Sequence, residues 1–110
     1  KIMNHFKGYA FSHSAKIIVS NSNSIYFNLA FEDISLKAVD IIQVDSLTCP
    51  TLLLYRNSPT IVIGRHQNPW KECRNELMRE NGVVLSRRKT GGGAVYQDLG
   101  NSCFSFLTPF

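Results

Sequence analysis

The chain has 110 residues, of which 44% are apolar and 11% aromatic; this allows one domain with a real core and excludes a disordered polymer. Twelve basic against eight acidic residues leave a net charge of +4, an excess that suits an anionic ligand, an acidic partner or nucleic acid without choosing among them. No apolar run nears the ~18 residues that cross a bilayer, and Cys49, Cys73 and Cys103 are odd in number, far apart and without a CxxC, so they do not read as a disulfide or zinc framework. Reduced thiols, no metal centre and no membrane partner are the expectation.

Residues 1–14 show no periodicity and read as a tail. No acidic residue precedes Glu32, whereas Lys1, Lys7 and Lys16 do, so this start also fits a retained organelle presequence. Residues 15–110 read as one domain. Lys16 to Val19 is β-branched and strand-like. Asn21 to Ser24 offers helix N-caps before a helix over Ile25 to Val39. Phe27, Ala30, Phe31, Ile34 and Ala38 share one apolar face of it. Asn28, Glu32 and Ser35 form a polar stripe, flanked by a second apolar set of Ile25, Leu29 and Leu36, so the helix is expected to be buried on two sides.

A loop follows around Asp45 to Pro50. Thr51 to Tyr55 and Thr60 to Ile63 are strands, and the intervening Arg56-Asn57-Ser58-Pro59 suggests a hairpin. Asn68 then Pro69 looks like an N-cap with proline at N1. A helix over Glu76 to Glu80 stops at Asn81-Gly82. Strands over Val83 to Arg87, Ala94 to Gln97 and Cys103 to Leu107 complete an α+β pattern, helices packed against a mixed or antiparallel sheet.

The most informative stretch is Arg87-Arg88-Lys89-Thr90-Gly91-Gly92-Gly93-Ala94-Val95-Tyr96. Glycines leave backbone N–H groups open to an anion and tolerate positive φ, while arginine brings a planar fork of donors. The strand residues after them can wall an apolar slot. Such a site suits a ligand with one acidic and one apolar end. A glycine-rich hairpin with a solvated basic flank is the alternative on chemistry alone.

Extended to Gln97-Asp98-Leu99-Gly100-Asn101, this stretch resembles the glycine-loop motif of lipoate–protein ligases and lipoyltransferases. Asn57 to Cys73, with Gly64-Arg65-His66-Gln67-Asn68-Pro69-Trp70, is a second match, and Asn28 to Asp33 a weaker third. Gln97 departs from the motif, where histidine is usual, and Lys89 occupies a variable position. The resemblance implies the lipoate/biotin ligase type of α+β domain, its N-terminal part only. It implies transfer of a lipoyl group to a lysine of lipoyl-carrier domains, those of 2-oxoacid dehydrogenase E2 subunits and the glycine-cleavage H protein. The donor is lipoyl-AMP, ready-made or formed from lipoate and ATP with Mg. The mitochondrial branch is the most similar, with a cytoplasmic location as the alternative.

Carried over position by position, Arg88 would meet the phosphate or acyl carboxylate, supported by Arg87. Gly91, Gly92 and Gly93 would bring main-chain N–H groups to the adenylate, and Ala94, Val95 and Tyr96 would line its channel. Arg65 and His66, at a strand end, are further candidates. The family's lysine falls past Phe110, so no catalytic residue is assigned and residues 1–110 alone are expected not to turn over. The other functional readings are a non-catalytic adenylate-binding fragment and an octanoyltransferase-type enzyme. With no RNP, KH or zinc-knuckle pattern, no nucleic-acid partner is expected.

Overall fold

A computed structural model describes residues 15–41 and 50–108, with side chains from residue 15 to 38 and from 50 to 108. The tail over residues 1–14, most of the expected loop before Pro50, and Cys49 lie outside the described residues. Among the described residues six strands and three helices follow in the order β1 (Lys16–Val19), α1 (Ile25–Ile41), β2 (Thr51–Tyr55), β3 (Thr60–Ile63), α2 (Pro69–Glu72), α3 (Asn75–Glu80), β4 (Val84–Arg87), β5 (Val95–Gln97) and β6 (Cys103–Leu107). The sequence-predicted elements are all present, with ends shifted by one or two residues.

Their pairing departs from expectation at one place. β2 and β3 do not form a hairpin: the strands divide into two three-stranded sheets, ordered β1-β2-β6 and β4-β3-β5. Each sheet is mixed, since β1 runs parallel and β6 antiparallel to β2, and β4 parallel and β5 antiparallel to β3. The four residues between β2 and β3 therefore bridge two sheets. Asn57 among them is fully buried, and Ser58 N–H donates to the Asn23 carbonyl at 2.9 Å. A side chain anchored inside, rather than a tight turn, fixes the chain here.

Of the two sides of α1 expected to be buried, only the one that carries Ile25 turns inward. Phe27 and Ile34, on the other, are 54% and 64% exposed, while Ile25 and Asn28 are 3% and 1% exposed. Phe27 stacks on Phe31 at 6.1 Å, near the surface. Asn28 and Glu32 of the polar stripe face inward because each finds a partner there, which removes the cost of burying it. Asn28 bonds to the β2–β3 connection, and Glu32 accepts from the Ser105 hydroxyl on β6.

The core is small. Leu53, Tyr55 and Leu107 supply it from the first sheet, Val62 and Ile63 from the second, and Ile25 and Met78 from the helices. The other face of the first sheet is apolar but open: Ile17, Leu52 and Phe106 form one cross-strand row, Val19, Leu54 and Phe104 the next, and the four edge residues are exposed. Asn68 caps α2 as predicted, its side chain accepting from Trp70 N–H at 3.0 Å. Gly82, at φ +65°, ends α3. Among the described residues no helix is long and apolar enough to cross a membrane.

Candidate functional site

Parallel pairing of β3 with β4 brings their carboxyl ends side by side, Ile63 opposite Arg87. The two loops leaving those ends, residues 64–68 and 88–94, interlock. Arg65 N–H donates to the Thr90 carbonyl at 2.9 Å, and Arg88 N–H to the Ile63 carbonyl at 3.0 Å. The Gln67 side chain folds back to accept from Gly64 N–H at 2.9 Å. Gly64 is buried against the glycine loop: a Cβ there would run into the Gly92 carbonyl, with its carbon at 3.0 Å. Sequence reasoning passed over Gly64. Its signals were its place in the second motif match and at a strand end, one residue before the candidates Arg65 and His66.

The arginine pair holds both loops. Arg87 Nη1 donates to the carbonyls of Gly64, Arg65 and Gln67 at 3.1, 3.0 and 2.8 Å. Arg88 Nη1 donates to Val62 at 3.2 Å, and its Nη2 to Gly91 and Gly93 at 2.7 and 2.8 Å. Three of the five N–H donors of Arg88 are thus engaged by main chain, where the sequence reading aimed the whole group at a ligand. A trans peptide sets its C=O and the following N–H in opposite directions. With the carbonyls of Gly91 and Gly93 turned to Arg88, the N–H groups of Gly92 and Ala94 point away from it. The result is a pair of main-chain donors on the outer side of the loop, suited to an anion.

Of the three glycines only Gly92 has positive φ, +98°. A Cβ at Gly92 would come within 2.8 Å of Arg88 Nη2, whereas at Gly91 or Gly93 it would meet nothing within 4 Å. Ala94, Val95 and Tyr96 are exposed beside the loop, as are Arg65 and His66. The structure thus gathers every sequence-predicted site residue at one end of the second sheet. Asp98 and Asn101 close the following turn on each other, with Asp98 N–H donating to Asn101 Oδ1 at 3.1 Å and Gly100 N–H to Asp98 Oδ1 at 2.9 Å.

Two features tie the site to helix α1. Lys89 pairs with Asp33 at 2.5 Å, and Lys37 with the same carboxylate at 3.2 Å; the bonds from Lys89 and then Lys37 hold Asp33 below the ordinary aspartate range. Farther in, Tyr55 lies opposite Cys103. Burial, then the Glu32 carboxylate, pushes its phenol up to about 12, and burial likewise raises the Cys103 thiol. A raised folded-state value means that the contribution of Tyr55 is complete below its ordinary value of 10 and is lost as pH rises toward 12. Unfolding measured across that window is expected to show an alkaline loss of stability that Tyr55→Phe reduces. Equal alkaline loss in both proteins would rule Tyr55 out as its source. Among the described residues no three His, Cys, Asp or Glu side chains cluster as metal ligands would.

Residues 24–110 match the Lipoyl protein ligase A/B catalytic domain. The mitochondrial lipoyl amidotransferase LIPT1 of Mus musculus is 54% identical over 92 residues, which are 84% of this chain and 23% of that protein. The crystal structure of P. falciparum LipL1 in complex with lipoate superposes with a TM-score of 0.74 at 41% identity, over 84% of this chain and 30% of that one. A bipartite lipoate protein ligase from Thermoplasma acidophilum, described with its E2 lipoyl domain, gives 0.64 at 28% identity, over 84% and 35%. The chain thus spans about a quarter of the length of the curated relative and a third of these structures. The glycine loop, the strand ends that carry it and the polar stripe of α1 all fall inside the matched residues, and the chain belongs to the family of the lipoyl protein ligase A/B catalytic domain.

Proposed function

We propose that the protein containing this chain transfers a lipoyl group from lipoyl-AMP to a lysine of a lipoyl-carrier domain. The observation that carries the reading is the loop braced by Arg88, with the N–H groups of Gly92 and Ala94 turned outward. Amide formation from a carboxylate needs a better leaving group, and adenylation supplies one. The protein then has to hold the phosphate, place the acyl carbon and stabilise the developing oxyanion. The two loop N–H groups would take the phosphate, and Arg88, on the opposite side of the loop, would act by holding those groups in place. Val95 and Tyr96 would line the acyl or adenine channel. Arg87 would act through the 64–67 loop, and Arg65 and His66 would stand at the rim.

The acceptors proposed are E2 lipoyl domains and the glycine-cleavage H protein, and likeness to a mitochondrial amidotransferase supports mitochondria as the site of action. In a ligase version ATP would enter with Mg as substrate and lipoyl-AMP would form in place. The test is a mass measurement on an isolated E2 lipoyl domain incubated with lipoyl-AMP and the full-length protein. One lipoyl group on one lysine is expected. An unmodified domain, beside a known lipoyltransferase that modifies it, would overturn the reading.

A further inference from the structure

A buried polar chain runs from β1 to β5. The Ser20 hydroxyl donates to Asn28 Oδ1 at 2.7 Å, Asn28 Nδ2 to Asn57 Oδ1 at 2.8 Å, and Asn57 Nδ2 to Gln97 Oε1 at 2.8 Å. Its direction is set at one point. Asn28 Nδ2 also donates to the main-chain carbonyls of Ser22 and Arg56, at 3.0 and 3.3 Å, and a carbonyl can only accept. Asn28 therefore cannot turn over, so Asn57 must accept from it and donate onward. Gln97 must then present its oxygen inward, which turns its Nε2 outward. That nitrogen finds no acceptor among the described residues, and it is not buried.

Gln97 and Val95 share one face of β5, since neighbours two apart do so along a strand. Opposite them on β3 stand Thr60 and Val62, both buried, so this is the inner face of the second sheet at its edge strand. Along the chain the order is fixed: the N–H groups of Gly92 and Ala94 turned away from Arg88, the apolar and partly exposed Val95, then the amide donors of Gln97. Three residues of strand separate Ala94 from Gln97, roughly 10 Å, which is close to the length of an extended eight-carbon acyl chain. The head of such a ligand is anionic, its middle apolar, and in lipoate its far end is a dithiolane ring whose sulfurs are weak acceptors.

Building on the lipoyl reading above, we propose that Gln97 is a specificity-determining residue, its Nε2–H donors meeting the dithiolane sulfur and favouring lipoyl over octanoyl groups. The buried chain fixes the amide's direction, so the donor is in place before the ligand arrives. An octanoyl chain of the same length offers it no acceptor and leaves those N–H groups to water.

The test is calorimetric titration of the full-length protein with lipoyl-AMP and with octanoyl-AMP. The wild type is expected to bind the lipoyl form tighter by about 2- to 10-fold, the range of one neutral hydrogen bond. Gln97→Glu keeps an acceptor for Asn57 but carries no donor; Gln97→Leu removes both. Both variants are expected to bring the ratio of the two affinities close to one. A reduced melting temperature alone would not change that ratio. An unchanged ratio in either folded variant, or no preference in the wild type, would overturn the assignment. Failure of the wild type to bind either adenylate would instead strike the lipoyl reading on which it rests.

Discussion

Replacing Gly92 by valine in the full-length protein is expected to weaken lipoyl-AMP binding by roughly 100-fold or more, and Gly64→Val by a similar factor. At Gly92 the backbone has φ +98°, a conformation a β-branched residue adopts only under strain of order 1–3 kcal/mol. Its Cβ would also displace Arg88 Nη2 from the Gly91 and Gly93 carbonyls. Bonds from a charged donor are worth about 1.5–3 kcal/mol, and together these exceed the ~2.7 kcal/mol that corresponds to a factor of 100. At Gly64 the added atoms strike the Gly92 carbonyl from the other side, and backbone cannot yield as a side chain tip does. Gly93→Ala is the control, since its Cβ meets nothing within 4 Å. Titration with lipoyl-AMP and a melting curve for each variant separate the effects. Equal losses of affinity across all three substitutions, or losses that merely follow stability, would make the loop an ordinary turn.

Asn28→Leu is expected to cost about 3–5 kcal/mol of stability, although leucine is the better helix former and the position lies on a helix. The substitution leaves Asn57 Oδ1 unpaired inside the protein and takes a donor or acceptor from the half-buried Ser20 hydroxyl and from the Ser22 and Arg56 carbonyls. Each unpaired buried group costs about 1–3 kcal/mol, partly recovered by relaxation and by the apolar gain. Urea unfolding measures it. A change below about 1 kcal/mol would mean that the buried chain contributes little to the fold and that Gln97 is not held by it.

The glycine loop and Asn28 mark where the sequence was legible and where it was not. Local chemistry placed the elements: β-branched runs gave the strands, Asn68-Pro69 the start of α2, and Asn81-Gly82 the end of α3. The glycine loop was visible because its motif is contiguous. The inward face of α1 was not, because periodicity ranks residues by apolarity. Asn28 is buried for a different reason, a partner 29 residues away. Asn57 reads as a turn residue until Gln97, 40 residues on, accepts from it. The hairpin expected between β2 and β3 failed for the same cause: short polar connections signal a turn, and nothing local says that they bridge two sheets. Gly64 stood in the second motif match without a legible role, because the atom that forbids a side chain there belongs to Gly92.

The brace formed by Arg88 is the centre of the account, since it turns a flexible glycine run into a fixed pair of donors. Its most direct measurement is calorimetric titration of lipoyl-AMP into the full-length protein and its Arg88→Ala variant. The variant is expected to bind about 10- to 150-fold more weakly, equivalent to ~1.5–3 kcal/mol, with Arg88→Lys recovering little because an ammonium cannot reproduce the planar fork. An unchanged affinity in Arg88→Ala would contradict it.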